Sequence, residues 1–445
     1  MSRWTVEQVL ALAPDASSAS AGEGLASARK WSGVGRSERA LWGLCQGSGK
    51  NPYQTRVDLA GPAFKCSCPS RKFPCKHGLG LMLVFARDAS ACPQAAEPGW
   101  VSEWLESRQD RAEKKAEKAQ AEAAKPVDEA AQAKRRAQRE ARVQDGIAEC
   151  RLWLEDLVRR GLASARAEAD WEKPAARMVD AQAPGLAVAI RRLGEALASG
   201  DGWHLRATDQ IGRLHLLLAA AERLESLPAA LAGDVRVALG WNQGKEEAIA
   251  GEVVKDRWSV VGQVVEEEQR LRSRRTWLLG RESGRRALVL DFAAGTAAFE
   301  PGPPLGMAFE GEVAFYPSTL PMRALIKVPG EPGPISGVMS VDRNIEEGLR
   351  RYAEAIGANP WTLRTLMVLE QAQFGLAGGE WFVADREGRS LPVRPRFGGA
   401  WRALSVGGGR PVTLSAEWDG QVLLPLAVLP SSESAFDNIA PRWSA

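Results

Sequence analysis

Three cysteines and one histidine lie close together in this chain, and their spacing suits a metal site. Cys66, Cys68, Cys75 and His77 follow the pattern C-x-C-x6-C-x-H in a chain of 445 residues with six cysteines and three histidines. A structural zinc ion takes four sulfur or nitrogen ligands in a tetrahedron, and this segment supplies all four. A chance group of buried or redox-active cysteines would rarely gather half of the chain's cysteines here. These four residues, called the Cys3His cluster below, therefore predict one structural zinc ion.

Two kinds of element are needed to position the ligands. Side chains two residues apart on an extended strand point to the same side, so Cys66 and Cys68 can face one ion. Pro69 and Pro74 bracket a polar loop that returns the chain to the second ligand pair, and the apolar run at 78–85 predicts a buried helix. Three strand candidates complete a small sheet: 41–44, 53–59 and 64–68.

This segment resembles the SWIM zinc finger, a ββα module of bacterial, plant and animal proteins that is usually assigned to binding DNA or protein. The sequences WGLCQGSGK at 42–50 and CSCPSRKFPCKH at 66–77 are similar to a narrower family of bacterial proteins with such a finger. The resemblance implies that the Cys3His cluster binds the zinc. It also implies protein partners, namely a MoxR-type AAA+ ATPase or a protein with a von Willebrand factor A domain.

Basic side chains surround the predicted finger, although the formal net charge of the whole chain is only +3. Seven basic and two acidic residues lie between positions 45 and 88. A locally basic surface supports contact with the phosphate backbone of a nucleic acid. The candidate contact residues, for nucleic acid or for a protein partner, are Lys65, Arg71, Lys72 and Lys76.

The length of the chain predicts several domains, because a single hydrophobic core rarely serves so many residues. We predict an α+β protein made of a small ββα zinc finger module, a charged linker helix, a helical bundle and a C-terminal β-rich domain. The N-terminal domain at 1–106 contains the finger at about 41–88. The remaining divisions are a linker at 107–145 rich in Ala, Glu, Lys and Arg, a helical domain at 146–232, and a β-rich domain at 233–445 with an inserted helix at about 345–373.

Two features of these domains allow alternative interpretations. The charged segment is best explained as a solvated linker, and the alternative is a basic arm that contacts nucleic acid through Lys134, Arg135, Arg136 and Arg139. The stretches 277–292 and 381–397 look alike, because each has a glycine seven residues and an arginine eight residues after its tryptophan. Any hairpin with a charged glycine turn gives this pattern, and we favour that explanation over a true repeat.

The sequence contains none of the common catalytic signatures. Nucleophile-elbow, metalloprotease and nucleotide-loop motifs are absent, and only two histidines remain outside the cluster. No apolar run approaches the roughly 20 residues of a membrane span, and the scattered Cys45, Cys92 and Cys150 favour a reducing cytoplasm. We therefore expect a non-enzymatic, cytoplasmic interaction or scaffold protein that binds protein partners. The alternative is nucleic-acid binding, to DNA in particular, through the basic finger.

Overall fold

The structure of this chain is a computed structural model. It describes all residues except 1–3, 5, 14–15, 48, 50, 60–62, 71, 111–128, 167–169, 269–270, 295–298, 301, 336–338, 430–436 and 439–445. An N-terminal sheet with its helices is followed by a bundle of helices and then by two further β-sheets. The predicted α+β class, with a finger, a helical bundle and a β-rich C-terminal region, is confirmed.

The N-terminal unit is a four-stranded antiparallel sheet with helices on one face. Its strands pair in chain order: β1 Trp31–Arg36, β2 Ala40–Cys45, β3 Tyr53–Asp58 and β4 Ala63–Cys66. Helix α3 packs on the sheet, and two short helices pack on α3: α1 Val6–Ala11, α2 Ala16–Glu23 and α3 Lys76–Arg87. The strands β2 to β4 and helix α3 correspond to the predicted elements. Strand β1 was missed because two of its six residues are glycines, which weaken a strand.

The opposite face of this sheet is covered by helix α4, which spans residues 99–110. Trp104 packs beside Trp42 of β2 in a separate small core. The guanidinium carbon of Arg56 lies 5.0 Å from the ring centroid of Trp100 and 5.7 Å from that of Trp104. These are cation–π contacts, which hold α4 on the sheet. The finger therefore has apolar packing on both faces, which a bare ββα module would lack.

A bundle of helices forms the second unit. Its members are α5 Glu129–Arg160, α6 Leu162–Arg166, α7 Glu172–Asp180, α8 Pro184–Ala198, α9 Trp203–Ala221 and α10 Ala229–Ala238. Their apolar faces share one core that contains Leu157, Leu186 and Leu217.

Helix α5 begins inside the segment predicted as a linker. It continues through the predicted boundary at residue 146, and Val143 is already buried in the core of the bundle. Residues such as Ala, Glu, Lys and Arg have high helical propensity, so the charged segment extends the helix rather than interrupting it. The part of the predicted linker at 111–128 lies outside the described residues, as do the side chains of 129–139.

The third unit contains a closed five-stranded barrel. It follows the short helix α11 Lys245–Ile249, and its strands are β5 Val253–Glu268, β6 Leu271–Gly280, β7 Arg286–Ala294, β8 Met307–Phe315 and β9 Arg323–Pro329. Strand β9 pairs with β7 in parallel and with β8 in antiparallel orientation, so the order β5-β6-β7-β9-β8 returns to β5. A two-residue strand, β10 Gly333–Pro334, extends β8 outside the ring. Trp258, Phe309 and Phe315 are among the side chains that fill the interior.

The last sheet repeats this strand order. Its elements are α12 Ile345–Ala358, β11 Thr365–Ala377, β12 Glu380–Ala384, β13 Ser390–Pro392, α13 Ala400–Gly407, β14 Val412–Trp418, β15 Leu423–Val428 and β16 Asp437–Asn438. Antiparallel pairs join β13-β12-β11-β14-β15. A parallel bridge between Val393 and Leu423 joins the end of β13 to β15. In both barrels, therefore, the first strand pairs with the second and fourth, and the third runs parallel to the fifth.

The two look-alike stretches occupy the same place in the two barrels. One forms the hairpin of β6 and β7, and the other forms the hairpin of β12 and β13. Both are hairpins, as expected, but they are also the second and third strands of equivalent barrels. The repeat that we disfavoured is therefore present in the topology.

The predicted inserted helix is too long. Helix α12 ends at Ala358, shortly before Pro360, and β11 begins at Thr365. The predicted extent to about residue 373 is wrong because the apolar run 366–369 is buried in a strand, and periodicity alone does not distinguish a fully buried strand from a buried helix.

The two barrels pack against each other through a buried polar contact in an apolar interface. Arg275 of β6 donates to both carboxylate oxygens of Glu417 of β14, at 2.9 and 3.0 Å. The indole nitrogen of Trp277 donates to the same carboxylate at 2.8 Å. Side chains from both barrels surround this contact and form one apolar cluster. The barrels are therefore joined by a common core.

The helical bundle contacts both barrels. Asp234 of α10 accepts hydrogen bonds from Ser318 and Thr319, in the loop between β8 and β9. Trp361, just before β11, donates to the carbonyl oxygen of Arg213 at 3.2 Å. Among the residues that the structure describes, no helix is both long and apolar enough to cross a membrane.

Candidate metal centre

The four residues of the Cys3His cluster meet at one point. Their sulfur and imidazole nitrogen atoms all lie within 4.8 Å of one another, and Cys75 Sγ is 4.0 Å from His77 Nδ1. Zinc–sulfur bonds of about 2.3 Å in a tetrahedron place two sulfur atoms about 3.8 Å apart. The arrangement is therefore compatible with one structural zinc ion, bound by three thiolates and one imidazole.

The sheet supplies one ligand pair and the helix supplies the other. Cys66 is the last residue of β4 and pairs with Thr55 of β3, and Cys68 follows in the loop. Cys75 is the N-cap residue of α3, and His77 lies in the first turn of that helix. The metal therefore joins the edge of the sheet to the start of the helix.

Close packing sets the position of α3 relative to the sheet. A Cβ atom added at Gly78 would lie 2.7 Å from the ring of Phe64 on β4, which is closer than side chains tolerate. Glycine at this position lets the helix approach the strand that carries the first ligand. Because His77 precedes Gly78, this approach also positions the imidazole.

The three thiols of the cluster differ in acidity. The pKa of Cys66 is lowered to about 3, mainly by a hydrogen bond with Cys75, with smaller effects of His77, Thr55 and the backbone of Cys68 against the opposing effect of burial. The same bond, together with burial, raises the pKa of Cys75. Burial also raises the pKa of Cys68. A divalent cation at this point would favour ionisation of all three thiols.

Aromatic rings pack around the cluster. The ring of Tyr53 lies 5.0 Å from that of His77, and Phe64 meets Phe73 edge to face with ring centroids 6.1 Å apart. Phe73 belongs to the loop between the ligand pairs, and 52% of it is exposed. It is a large apolar side chain on a segment that the metal ligands hold at both ends.

The candidate contact residues lie near this exposed ring in sequence. Lys65, Lys72 and Lys76 are exposed, whereas Arg71 lies outside the described residues. The four basic side chains of the alternative arm, Lys134, Arg135, Arg136 and Arg139, also lie outside the described residues.

Sequence reasoning identified the ligands but not the groups that surround them. The hydroxyl oxygen of Thr55 lies 3.2 Å from Cys66 Sγ, and this contact depends on the register between β3 and β4. The strands predicted at 53–59 and 64–68 contain Thr55 and Cys66, but the register that places these two residues side by side was not predicted. All six cysteines are free thiols, so Cys45, Cys92 and Cys150 form no disulfide.

This site defines a structural zinc finger that is held by three cysteines and one histidine. Comparison with protein families identifies its kind, because residues 56–85 match the SWIM zinc finger. Residues 138–239 match a second family, the SWIM-associated four-helix bundle domain. The chain therefore contains a SWIM zinc finger, as the sequence resemblance indicated, and this finger is followed by the helical bundle that is associated with such fingers. No curated protein and no solved structure matches the chain.

Proposed function

We propose that this protein is a non-enzymatic cytoplasmic scaffold whose zinc finger presents a rigid binding surface to a protein partner. Protein side chains supply all four ligands of the metal, which is the arrangement of structural rather than catalytic zinc sites. Metal binding would then contribute to the folding of the finger rather than to a reaction. The free, scattered cysteines support a location in the reducing cytoplasm.

The observation that carries this proposal is the exposed Phe73. Aromatic side chains dominate the binding energy of many protein interfaces when they are held rigidly. Phe73 is 52% exposed in the loop between the ligand pairs, and exposed Lys72 and Lys76 lie close to it in sequence. An aromatic centre with a basic rim suits a partner surface that is apolar in the middle and acidic at its edge.

The partners that we propose to test first are a MoxR-type AAA+ ATPase and a von Willebrand factor A-domain protein of the same organism. The resemblance of the finger and its flanks to a bacterial SWIM family supports this choice. Isothermal titration of each purified partner with the zinc-loaded protein should show binding that Phe73→Ala weakens. Phe292→Ala is the matched control, because Phe292 is 58% exposed on the first barrel. An unchanged affinity of the partner for Phe73→Ala would show that the partner binds to another surface of this protein.

A second candidate function is nucleic-acid binding by the finger, favoured by the three exposed lysines at 65, 72 and 76. Each phosphate contact made by a lysine contributes to the salt dependence of affinity for DNA. We expect Lys72→Gln and Arg71→Gln each to weaken the binding of duplex DNA and to flatten its salt slope. An unchanged salt slope would show that neither residue contacts the DNA. Absence of DNA binding at physiological salt would exclude this second function.

A further inference from the structure

A cleft with a volume of about 610 Å³ lies between the zinc-finger unit and one end of the first barrel. Ligand sites in proteins are often clefts of roughly 300–1,000 Å³, and they occur preferentially at domain interfaces and in the mouths of β-barrels. This cleft has both locations. It shares no residue with the Cys3His cluster or with the loop that carries Phe73.

Three neighbouring strands of the first barrel form the floor of the cleft. Gln263 of β5 lies opposite Thr276 of β6, which lies opposite Val289 of β7, and all three residues line the cleft. Val289 belongs to the apolar cluster that fills the barrel. Because side chains in one row across a sheet share a face, this row lies on the inner face of the barrel, at its open end.

The polar groups of this floor are uncharged or neutralised. The amide nitrogen of Gln263 donates to the hydroxyl oxygen of Thr276 at 3.1 Å, and Arg274 donates twice to the carboxylate of Asp291, at 2.8 and 3.0 Å. Within the described part of the chain, the side-chain carbonyl oxygen of Gln263 and the hydroxyl proton of Thr276 have no other partner. An acceptor beside a donor is complementary to a peptide group, which carries one N–H and one C=O.

The walls of the cleft are apolar and come from both units. The zinc-finger unit contributes Trp4, Leu59 and Phe85, and β9 of the barrel contributes Leu325 and Ile326. All five side chains are half-buried, so each keeps apolar surface that a ligand could cover. Four prolines of the barrel loops complete the wall: Pro303, Pro304, Pro329 and Pro332. Since the proline ring fixes the backbone φ angle, this wall is already ordered before a ligand binds.

The rim of the cleft is weakly acidic. Its lining contains four acidic and three basic residues. Glu38, between β1 and β2, and Glu331, after β9, are exposed, and neither makes an ion pair or a side-chain hydrogen bond with any residue that the structure describes. Lys245 of α11 is the one basic residue of the lining of which the same is true. Two free carboxylates and one free ammonium group therefore favour a ligand with a positive charge.

We propose that this cleft binds an extended peptide segment of a protein partner, a segment with apolar side chains and one lysine or arginine. The peptide backbone contacts Gln263 and Thr276, and its apolar side chains lie between Trp4 and Leu325. Its basic side chain pairs with a carboxylate of the rim. This surface is separate from that of Phe73, and the inference does not rest on the function proposed for the finger.

The test begins with the full-length, zinc-loaded protein and a phage-displayed library of random peptides. We expect the selected peptides to combine apolar residues with a lysine or arginine. One selected peptide is then synthesised with a fluorescein label, and fluorescence anisotropy gives its affinity. Because the finger forms one wall of the cleft, we expect removal of zinc by a chelator to abolish binding of this peptide.

Charge reversal at the rim tests the location of the basic side chain. Glu38→Lys and Glu331→Lys place a positive charge on opposite walls, and at least one of them should weaken binding about tenfold, because like charges then face each other. Glu380→Lys is the matched control, since Glu380 is an exposed glutamate on β12 of the second barrel. It should leave the affinity unchanged. All three positions are exposed, so the variants should fold.

Photochemical crosslinking tests the position of the apolar side chains. The selected peptide is made with benzoylphenylalanine in place of its apolar residue, irradiated with the protein and mapped by mass spectrometry. We expect crosslinks to both walls of the cleft, to Leu59 or Phe85 of the zinc-finger unit and to Leu325 or Ile326 of the barrel. This measurement uses the unchanged protein and does not depend on the folding of any variant.

Three results would overturn the proposal. The first is a selection that enriches no peptide. The second is a selected peptide whose affinity is the same for Glu38→Lys, Glu331→Lys and Glu380→Lys. The third is crosslinking outside the cleft. Crosslinks confined to the loop at 69–74, with binding lost in Phe73→Ala, would assign the peptide to the finger surface and would support the function proposed there while excluding the cleft.

Discussion

At the scale of single residues, the four ligands of the finger are not equivalent. Cys66 has a pKa lowered to about 3, whereas the pKa values of Cys68 and Cys75 are raised above those of an ordinary thiol. Without zinc the finger is expected to unfold, and its three ligand cysteines then have the ordinary thiol pKa of about 8.5 and are mostly protonated near neutral pH. Metal ligands must be deprotonated, so protons compete with zinc for all three cysteines.

The first prediction concerns this competition. Zinc binding near neutral pH should release about three protons, from Cys66, Cys68 and Cys75, and the logarithm of the affinity should rise by about three per pH unit. Zinc binding thus weakens as the pH falls. Isothermal titration in two buffers of different ionisation enthalpy measures the protons released. Release of only about two protons would show that Cys66 is already a thiolate in the metal-free protein.

The second prediction concerns the loss of one ligand. Cys75→Ala and His77→Ala should each remove the zinc and unfold the finger, because the metal joins β4 to α3. Zinc content by atomic emission and the circular dichroism of the variants measure this. Cys92→Ala is the control, since Cys92 is buried in the finger core but does not belong to the cluster. A folded finger without zinc in His77→Ala would contradict the structural role of the metal.

The ligands could be predicted from the sequence because their spacing alone constrains the chemistry. Two pairs of residues, each separated by one position, require a strand end and a turn or helix start, and both could be placed from local patterns. The neighbours of the ligands could not. The contact of Thr55 with Cys66 depends on strand register, and the exposure of Phe73 depends on how the loop packs against Phe64.

At the scale of elements, the buried polar contact between β6 and β14 should be important for the stability of the C-terminal half. Arg275 and Glu417 have side-chain exposures of 9% and 4%, and Glu266 also accepts hydrogen bonds from Arg275. Removing Glu417 would leave the indole N–H of Trp277 without its acceptor and Arg275 with the carboxylate of Glu266, in a medium that solvates both groups poorly.

The third prediction follows from that contact. Glu417→Ala should lower the free energy of unfolding by about 3 kcal/mol, the lower end of the range for a broken buried pair, because Trp277 loses its buried acceptor while Arg275 keeps Glu266. Urea unfolding followed by tryptophan fluorescence measures the change. Glu310→Ala provides a comparison, since its ion pair with Arg257 is on the surface and should contribute about 1 kcal/mol or less. Equal losses in both variants would contradict the proposed importance of the buried pair.

The elements themselves were only partly predictable. The sequence predicted a β-rich C-terminal domain, and the charged glycine turns within 277–292 and 381–397 indicated two of its hairpins. Helix α12 was extended too far because the segment that follows it is apolar on both faces. The closure of each barrel depends on parallel pairs that are distant in sequence, such as Val393 with Leu423. No local pattern encodes such a pair, so the sequence signal of the repeat was limited to the look-alike hairpins at 277–292 and 381–397.

At the scale of the whole molecule, the chain consists of a metal-dependent part and a part that has large hydrophobic cores of its own. The bundle contacts the loop between β8 and β9 through Asp234, and the two barrels share one core. The finger relies on a small core together with the Cys3His cluster. The two parts should therefore respond differently to removal of zinc.

The fourth prediction is that a chelator unfolds the finger alone. Differential scanning calorimetry of the zinc-loaded protein should show a transition that disappears with chelation, while the transition of the bundle and barrels keeps its midpoint. Asp234→Ala should instead lower the latter midpoint, because its hydrogen bonds to Ser318 and Thr319 are lost. Loss of both transitions on chelation would mean that the finger and the remainder fold as one unit.

The shared core of the barrels limits how this chain can be divided into fragments. A fragment that begins at about residue 340 would contain all strands of the second barrel, yet it would expose Leu426, which packs on Gly262, and would leave the Glu417 carboxylate without Arg275. Such a fragment should aggregate on expression. The shortest piece suitable for studying the second barrel therefore extends from α11 through β15, because the first barrel covers the apolar surface that the second barrel would otherwise expose.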